Sequence, residues 1–156
     1  MKGDPKVIQH LNIALGNELV AINQYFLHAK MYKDWGLKVL AKWEYDESIE
    51  EMRHADKLIE RILFLEGIPN MQRLEAVRAG ETPIEQHRLD LEVEVRAQKF
   101  LNEAIALARE QADNGSRELL EDILTNEEES IDWLEAQLHI VEEIGAAAYL
   151  AEQIHD

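Results

Sequence analysis

Helix breakers are sparse in this sequence, and their positions decide what it can fold into. Only 7 Gly and 3 Pro occur in 156 residues, and Pro5, Gly36, Gly67, Pro69, Gly80, Pro83, Gly115 and Gly145 mark the edges of four long stretches. Within each stretch, apolar side chains return at steps of three and four, the period of one buried helix face. Short strands need more frequent turns than this chain supplies.

The punctuation gives helix ends. Asp4 can cap a first helix with Pro5 at its opening position, where the missing amide hydrogen is no loss, and Val7, Leu11, Leu15, Ile22, Tyr25 and Ala29 carry its inner face to about Trp35. Gly36 permits a sharp turn into a second helix from about Leu37 to Phe64 or Leu65, with Leu40, Leu58 and Ile62 inward. So short a connection makes the two an antiparallel hairpin. The polar segment bracketed by Gly67, Pro69 and Gly80 is long for such a loop and suits a crossover along the bundle. Thr82, Pro83 and Glu85 open a third helix to about Gln111, its inner stripe carrying Leu91, Leu101, Ile105 and Ala108. Asp113, Asn114, Gly115 and Ser116 read as a turn before a fourth helix from about Arg117 to Glu143, which turns Leu120, Ile123, Leu134, Leu138 and Val141 inward. Gly145 then precedes a short fifth helix over Ala146 to Leu150, expected against another subunit.

The composition, 46% hydrophobic and 31% charged, supports one cooperatively folded domain over residues 1–156. Cysteine is absent, which excludes disulfides, thiolate metal sites, iron–sulfur clusters and cysteine nucleophiles. A formal charge of -16 disfavours nucleic acid and anionic membranes as partners and favours cations. With neither a leader pattern nor a long apolar run, a cytoplasmic location is the expectation.

Each long helix carries a glutamate where its stripe should be apolar. Glu18 lies between Leu15 and Ile22, Glu51 falls in series with Leu40 and Leu58, Glu94 follows Leu91 by three, and Glu127 lies between Ile123 and Leu134. Four buried anions without partners would be prohibitively expensive, and bound cations remove that objection. Glu51 and His54, three residues apart, point from one face towards the same centre. One glutamate from each of two helices, with a Glu-x-x-His pair from each of the others, is the diiron arrangement of ferritin-like bundles. Glu18 and Glu94 suit the single positions. Helix four departs from the pattern: Ser130 stands three residues after Glu127, where histidine belongs, and a neutral hydroxyl is at most a weak or water-mediated ligand. His139 lies too far along, and His28 is rotated off the Glu18 stripe. Asp46, Glu47 and Glu50 form a further acidic cluster, which is either solvated surface or, if it faces a cavity, a place that attracts cations.

The opening MKGDPKVIQHLNIALGNEL, with AINQYFLHAKMYKDWG, SIEEMRHADKLIERILFLEG and IDWLEAQL, resembles the bacterioferritins over nearly the whole length. The resemblance implies an all-α, ferritin-like four-helix bundle with a long crossover and a short C-terminal fifth helix. It implies first-site roles for Glu18, Glu51 and His54 and second-site roles for Glu94 and Glu127, Glu51 and Glu127 bridging, with Ser130 interrupting the set. It further implies oxidation of Fe(II) by dioxygen or peroxide and a ferric mineral held in a hollow shell, a 24-mer built from two-fold dimers. Met52 lies about 100 degrees around the helix from Glu51 and matches the family's haem residue. Paired Met52 sulfurs across the dimer would ligate haem b, which would assist iron release with a small ferredoxin as reductant. Tyr25 and Trp133 resemble aromatics that pass oxidation equivalents near the diiron centre. A mixed shell with a second bacterioferritin subunit, a structural haem-bearing subunit with little ferroxidase activity, and a freestanding diiron oxygenase are the alternatives.

Overall fold

The computed structural model describes residues 1–72 and 75–155 and contains helices α1 (Pro5–Asp34), α2 (Lys38–Phe64), α3 (Pro83–Glu110), α4 (Asn114–Ile144) and α5 (Ala146–Ala151). α1 pairs with α2 and α3 with α4, and the segment between α2 and α3 crosses the bundle. Among the described residues, no helix is long and apolar enough to cross a membrane.

The caps explain the starts. Asp4 accepts from the amides of Lys6 and Val7 at 2.8 and 3.2 Å, and Thr82 accepts from that of Glu85 at 3.2 Å. Gly36, at φ +80°, takes a left-handed turn that a side chain would strain. α4 begins earlier than the Asn-Gly pair suggests, because Asp113 itself caps it. The Asp113 carboxylate accepts from the Ser116 amide at 3.0 Å and from Arg61 of α2 at 2.7 Å, so the turn is pulled into the helix start.

The crossover is tied to α1 by polar side chains. Asn12 donates to the Ile68 carbonyl and accepts from the Asn70 amide, while the Gly80 amide donates to His28. Gly80 is buried, and a Cβ there would meet Gln86 at 2.6 Å.

One apolar cluster fills the lower bundle with Val7, Leu11, Leu15, Leu58, Ile62, Leu101, Leu120 and Ile123. A second gathers Tyr32, Leu37, Leu40 and Tyr149. α5 packs on its own chain: Tyr149 is buried, its hydroxyl lies 3.0 Å from His87, and the Val39 amide donates to the Gln153 carbonyl. The stretch between these clusters is polar, and it holds the candidate site.

Candidate metal centre

α1, α2 and α4 each turn acidic groups into this middle layer. Ligand atoms of Glu18, Glu51, His54 and Glu127 all lie within 4.8 Å of one another, and all four residues are buried. His54 Nδ1 is the hub, 3.4 Å from Glu127, 3.5 Å from Glu18 and 3.6 Å from Glu51. Glu94, fully buried on α3, is outside this group of four and accepts a short hydrogen bond from the Tyr25 hydroxyl.

The electrostatics are those of a site built for cations. Burial, reinforced by Glu127, pushes the Glu18 carboxyl well above the usual carboxylate range, and burial followed by Glu18 and Glu127 does the same to Glu51. Burial alone would lower the His54 pKa, yet the close carboxylates of Glu127 and Glu51 raise it to about 10. Without metal, protons hold the nest together. Each of Glu18 Oε2, Glu51 Oε2, His54 Nδ1, Glu94 Oε2 and Glu127 Oε1 is buried with no hydrogen-bond partner. Orphaned buried acceptors are rare in folded proteins, and a carboxylate-rich set with one imidazole suits iron. These residues fit the metal.

The far side of His54 is adaptable. Its Nε2 lies 3.0 Å from Asn126 Nδ2. The amide can donate there while Nδ1 holds the proton, or turn its oxygen to accept from Nε2–H once Nδ1 gives its lone pair to a metal.

Ser130 sits on the same face of α4, buried, and donates to Glu47 Oε2 at 2.6 Å. Asp46, Glu47, Glu50, Glu51, Ser130 and Trp133 all line one cavity of about 480 Å³, so the acidic cluster and the nest share a space. Trp133 stacks on Trp43, with ring centroids 3.7 Å apart. Met52 is not among these residues and is 51% exposed.

A second buried group escaped the sequence reading. His28, Glu44 and Asp90 also bring ligand atoms within 4.8 Å. Here the Gly80 amide donates to His28 Nε2 at 2.9 Å, which leaves the ring proton on Nδ1, facing Asp90 Oδ1 at 2.9 Å. Gln24 donates to the same oxygen at 2.9 Å. Burial, then Asp90, raises Glu44 well above the usual carboxylate range, while both Glu44 oxygens and Asp90 Oδ2 are buried without a hydrogen-bond partner. Extending the stripes from Glu51 back to Glu44, and from Glu94 back to Asp90, would have found both acids.

A helical bundle with a crossover, closing on a carboxylate–imidazole nest, defines the ferritin-like class, and the family profile described as "Ferritin-like domain" matches residues 8–144. The bacterioferritin of Mycolicibacterium paratuberculosis is 46% identical over 152 residues, covering 97% of this chain and 96% of the relative. That of Rhodobacter capsulatus is 47% identical over 149 residues, covering 96% and 92%. That of Streptomyces coelicolor is 47% identical over 154 residues, covering 99% and 92%. The chain belongs to the bacterioferritin family. Family and nest together support iron storage with ferroxidase-type activity in general terms, with iron as the metal.

Proposed function

We propose that the protein oxidises Fe(II) at a dinuclear site held by Glu18, Glu51, His54, Glu94 and Glu127 and stores the ferric product in a hollow shell. The reading rests on one observation: each of these five side chains carries a buried atom with no hydrogen-bond partner. Bound iron supplies the electrons, one from each Fe(II), that reduce dioxygen or peroxide. The protein's own part is to bind, orient and manage protons. Glu51 and Glu127 each have a second oxygen available to bridge two ions, His54 offers a neutral nitrogen once its proton leaves, and Tyr25 fixes Glu94 through its hydroxyl. Acidic walls at the cavity, from Asp46, Glu47 and Glu50, draw the cation in. Ser130 gives a hydroxyl where the fuller arrangement has imidazole, so oxidation is slower than at a six-ligand centre.

The wider reading follows the family. Two-fold dimers assemble into a shell of twenty-four subunits in the cytoplasm, with a second bacterioferritin subunit as a candidate shell partner. Met52 ligates haem b across the dimer; its exposure leaves the thioether accessible to a partner subunit. Haem then carries electrons inward for iron release, with a small ferredoxin as donor. Tyr25, which donates to Glu94, and Trp133, at the cavity wall, pass oxidation equivalents near the diiron centre.

Iron-dependent oxygen consumption by the purified homomer tests this function. Rapid uptake in proportion to added Fe(II) supports it and rejects a purely structural haem-bearing subunit. No oxidation despite full metal loading rejects the ferroxidase reading and leaves that structural role, which the Ser130 substitution favours. A diiron oxygenase is the weaker alternative, because the cavity is walled by carboxylates rather than by an apolar surface suited to an organic substrate.

A further inference from the structure

The residue that replaces the expected histidine is already engaged. Ser130 has one hydroxyl proton and two acceptors in reach, Glu47 Oε2 at 2.6 Å and the Asn126 carbonyl at 3.3 Å. The shorter, carboxylate contact takes the proton, since charge-assisted bonds are the shorter and stronger kind. The hydroxyl therefore orients a carboxylate of α2 rather than facing the centre as a ligand.

Glu47 is well placed to use that orientation. It lies one helical turn before Glu51 on the same face, and the two share a cavity wall with Ser130. Glu51 carries a buried, unpartnered Oε2. The neighbouring acids have cations of their own, Asp46 with Lys42 at 2.6 Å and Glu50 with Arg53 at 2.7 Å, whereas Glu47 takes the Ser130 hydroxyl.

We propose that Glu47 is the sixth protein ligand of the dinuclear site, an oxygen donor from α2 that replaces the missing imidazole of α4 and is positioned by Ser130. One oxygen is held by the hydroxyl; Glu47, like Glu94, lies outside the four residues whose ligand atoms converge within 4.8 Å, and its other oxygen would serve the second ion, the one assigned to Glu94 and Glu127. Burial raises the Glu47 pKa against the Ser130 bond, which lowers it, and the charges of Glu127 and His54 reach it, as expected of a carboxylate at the edge of the nest. The inference rests on the dinuclear reading above and sharpens it: the serine relocates the ligand instead of deleting it.

The test is a count of metal ions. Crystals of the full-length protein, wild type, Glu47→Gln and the double variant Glu47→Gln/Ser130→His, are soaked in Co(II) and read by anomalous scattering at the cobalt edge. Calorimetric titration with Co(II) runs in parallel. The expected result is two ions per site in the wild type, the second in contact with Glu47. In Glu47→Gln the second ion is lost or weakened by at least about tenfold, with the first unchanged, and the added histidine restores it in the double variant. Two ions bound equally well in Glu47→Gln, or a second ion away from Glu47, overturns the inference and leaves the dinuclear reading intact. A wild type that binds only one ion overturns it and the dinuclear reading with it. No ion at the nest in any form sinks the dinuclear reading itself. Because the double variant must regain an ion that the single one lost, a folding defect cannot imitate the expected pattern.

Discussion

Two buried groups in this bundle have almost the same ingredients and opposite fates. The Glu18, Glu51, His54 and Glu127 nest and the His28, Glu44 and Asp90 group each combine a histidine with carboxylates within 4.8 Å. They differ on the far side of the ring. His54 Nε2 faces the side-chain amide of Asn126, which can turn over; His28 Nε2 faces the backbone amide of Gly80, which cannot. A metal on His28 Nδ1 would force a proton onto Nε2, donor against donor. The second group has hydrogen bonds that the first lacks, since Gln24 and His28 both donate to Asp90 Oδ1, although both Glu44 oxygens and Asp90 Oδ2 are, like the atoms of the nest, without a partner. Composition alone does not make a metal centre; the partner opposite the ligand atom decides.

Two substitutions should pull the groups apart most strongly. Glu51→Gln keeps the shape of the nest and removes a charge, so Co(II) affinity and iron-dependent oxygen uptake fall by more than about 100-fold, beyond the range for residues behind the ligands. Metal-free thermal stability stays level or rises, because burial already opposes the Glu51 charge. Asp90→Ala does the reverse. It strands Gln24 and His28 without their acceptor and lowers unfolding free energy in urea by about 3–5 kcal/mol. Co(II) affinity at the nest changes little. Equal effects of both variants on both measurements would erase the distinction.

The helices were legible because their start signals are chemical: Asp4–Pro5 and Thr82–Pro83 place cap and proline where only a helix start uses both. The nest was legible for a related reason, since an acid on an apolar stripe has no packing role to explain it. The early start of α4 was not, because Asn-Gly favours a turn locally while Arg61, distant in sequence, holds Asp113 as a cap. The character of the second group was equally hidden. Glu44 and Asp90 lie on readable stripes, but the Gly80 amide that locks His28 arrives through the path of the crossover, which helical periodicity does not encode. Glu47 read as part of a surface run, and its bond to Ser130 is a tertiary fact.

Acidity supplies a graded test of the same contrast. The His54 pKa is raised from 6.5 to about 10, so its contribution to metal-free stability is complete below 6.5 and is lost as pH rises towards 10. Glu18 and Glu51, raised well above 4.5, act with the same sign, losing theirs as pH climbs above that value. Metal-free Tm should therefore drop on alkalinisation, by about 2–4 °C for each kcal/mol lost at this size. Metal must displace the same protons. Co(II) binding should release protons, seen by calorimetry in buffers of different ionisation enthalpy, and should weaken as pH falls. His87 runs the other way, since burial lowers its pKa to about 4, and its site loses stability as pH falls from 6.5 through that value. His87→Gln should flatten the acid limb of the Tm curve and leave the alkaline limb in place.

The smallest expected effect bears most directly on why the groups differ. Asn126→Leu removes the group that meets His54 Nε2 in either protonation state, and Co(II) affinity should fall by about tenfold, the lower end for a residue that orients a ligand. Asn126→Asp retains only acceptors, which pins the proton on Nε2 and leaves Nδ1 open for metal. It should therefore bind Co(II) at least as well as the wild type, although it differs from asparagine by a charge that leucine does not carry. If Asn126 merely packed beside the ring, the charged replacement would disturb this half-buried position more than leucine does, and the order of the two variants would invert. Aspartate above leucine in a Co(II) titration thus identifies a freely chosen ring tautomer as what separates the metal nest from its hydrogen-bonded twin.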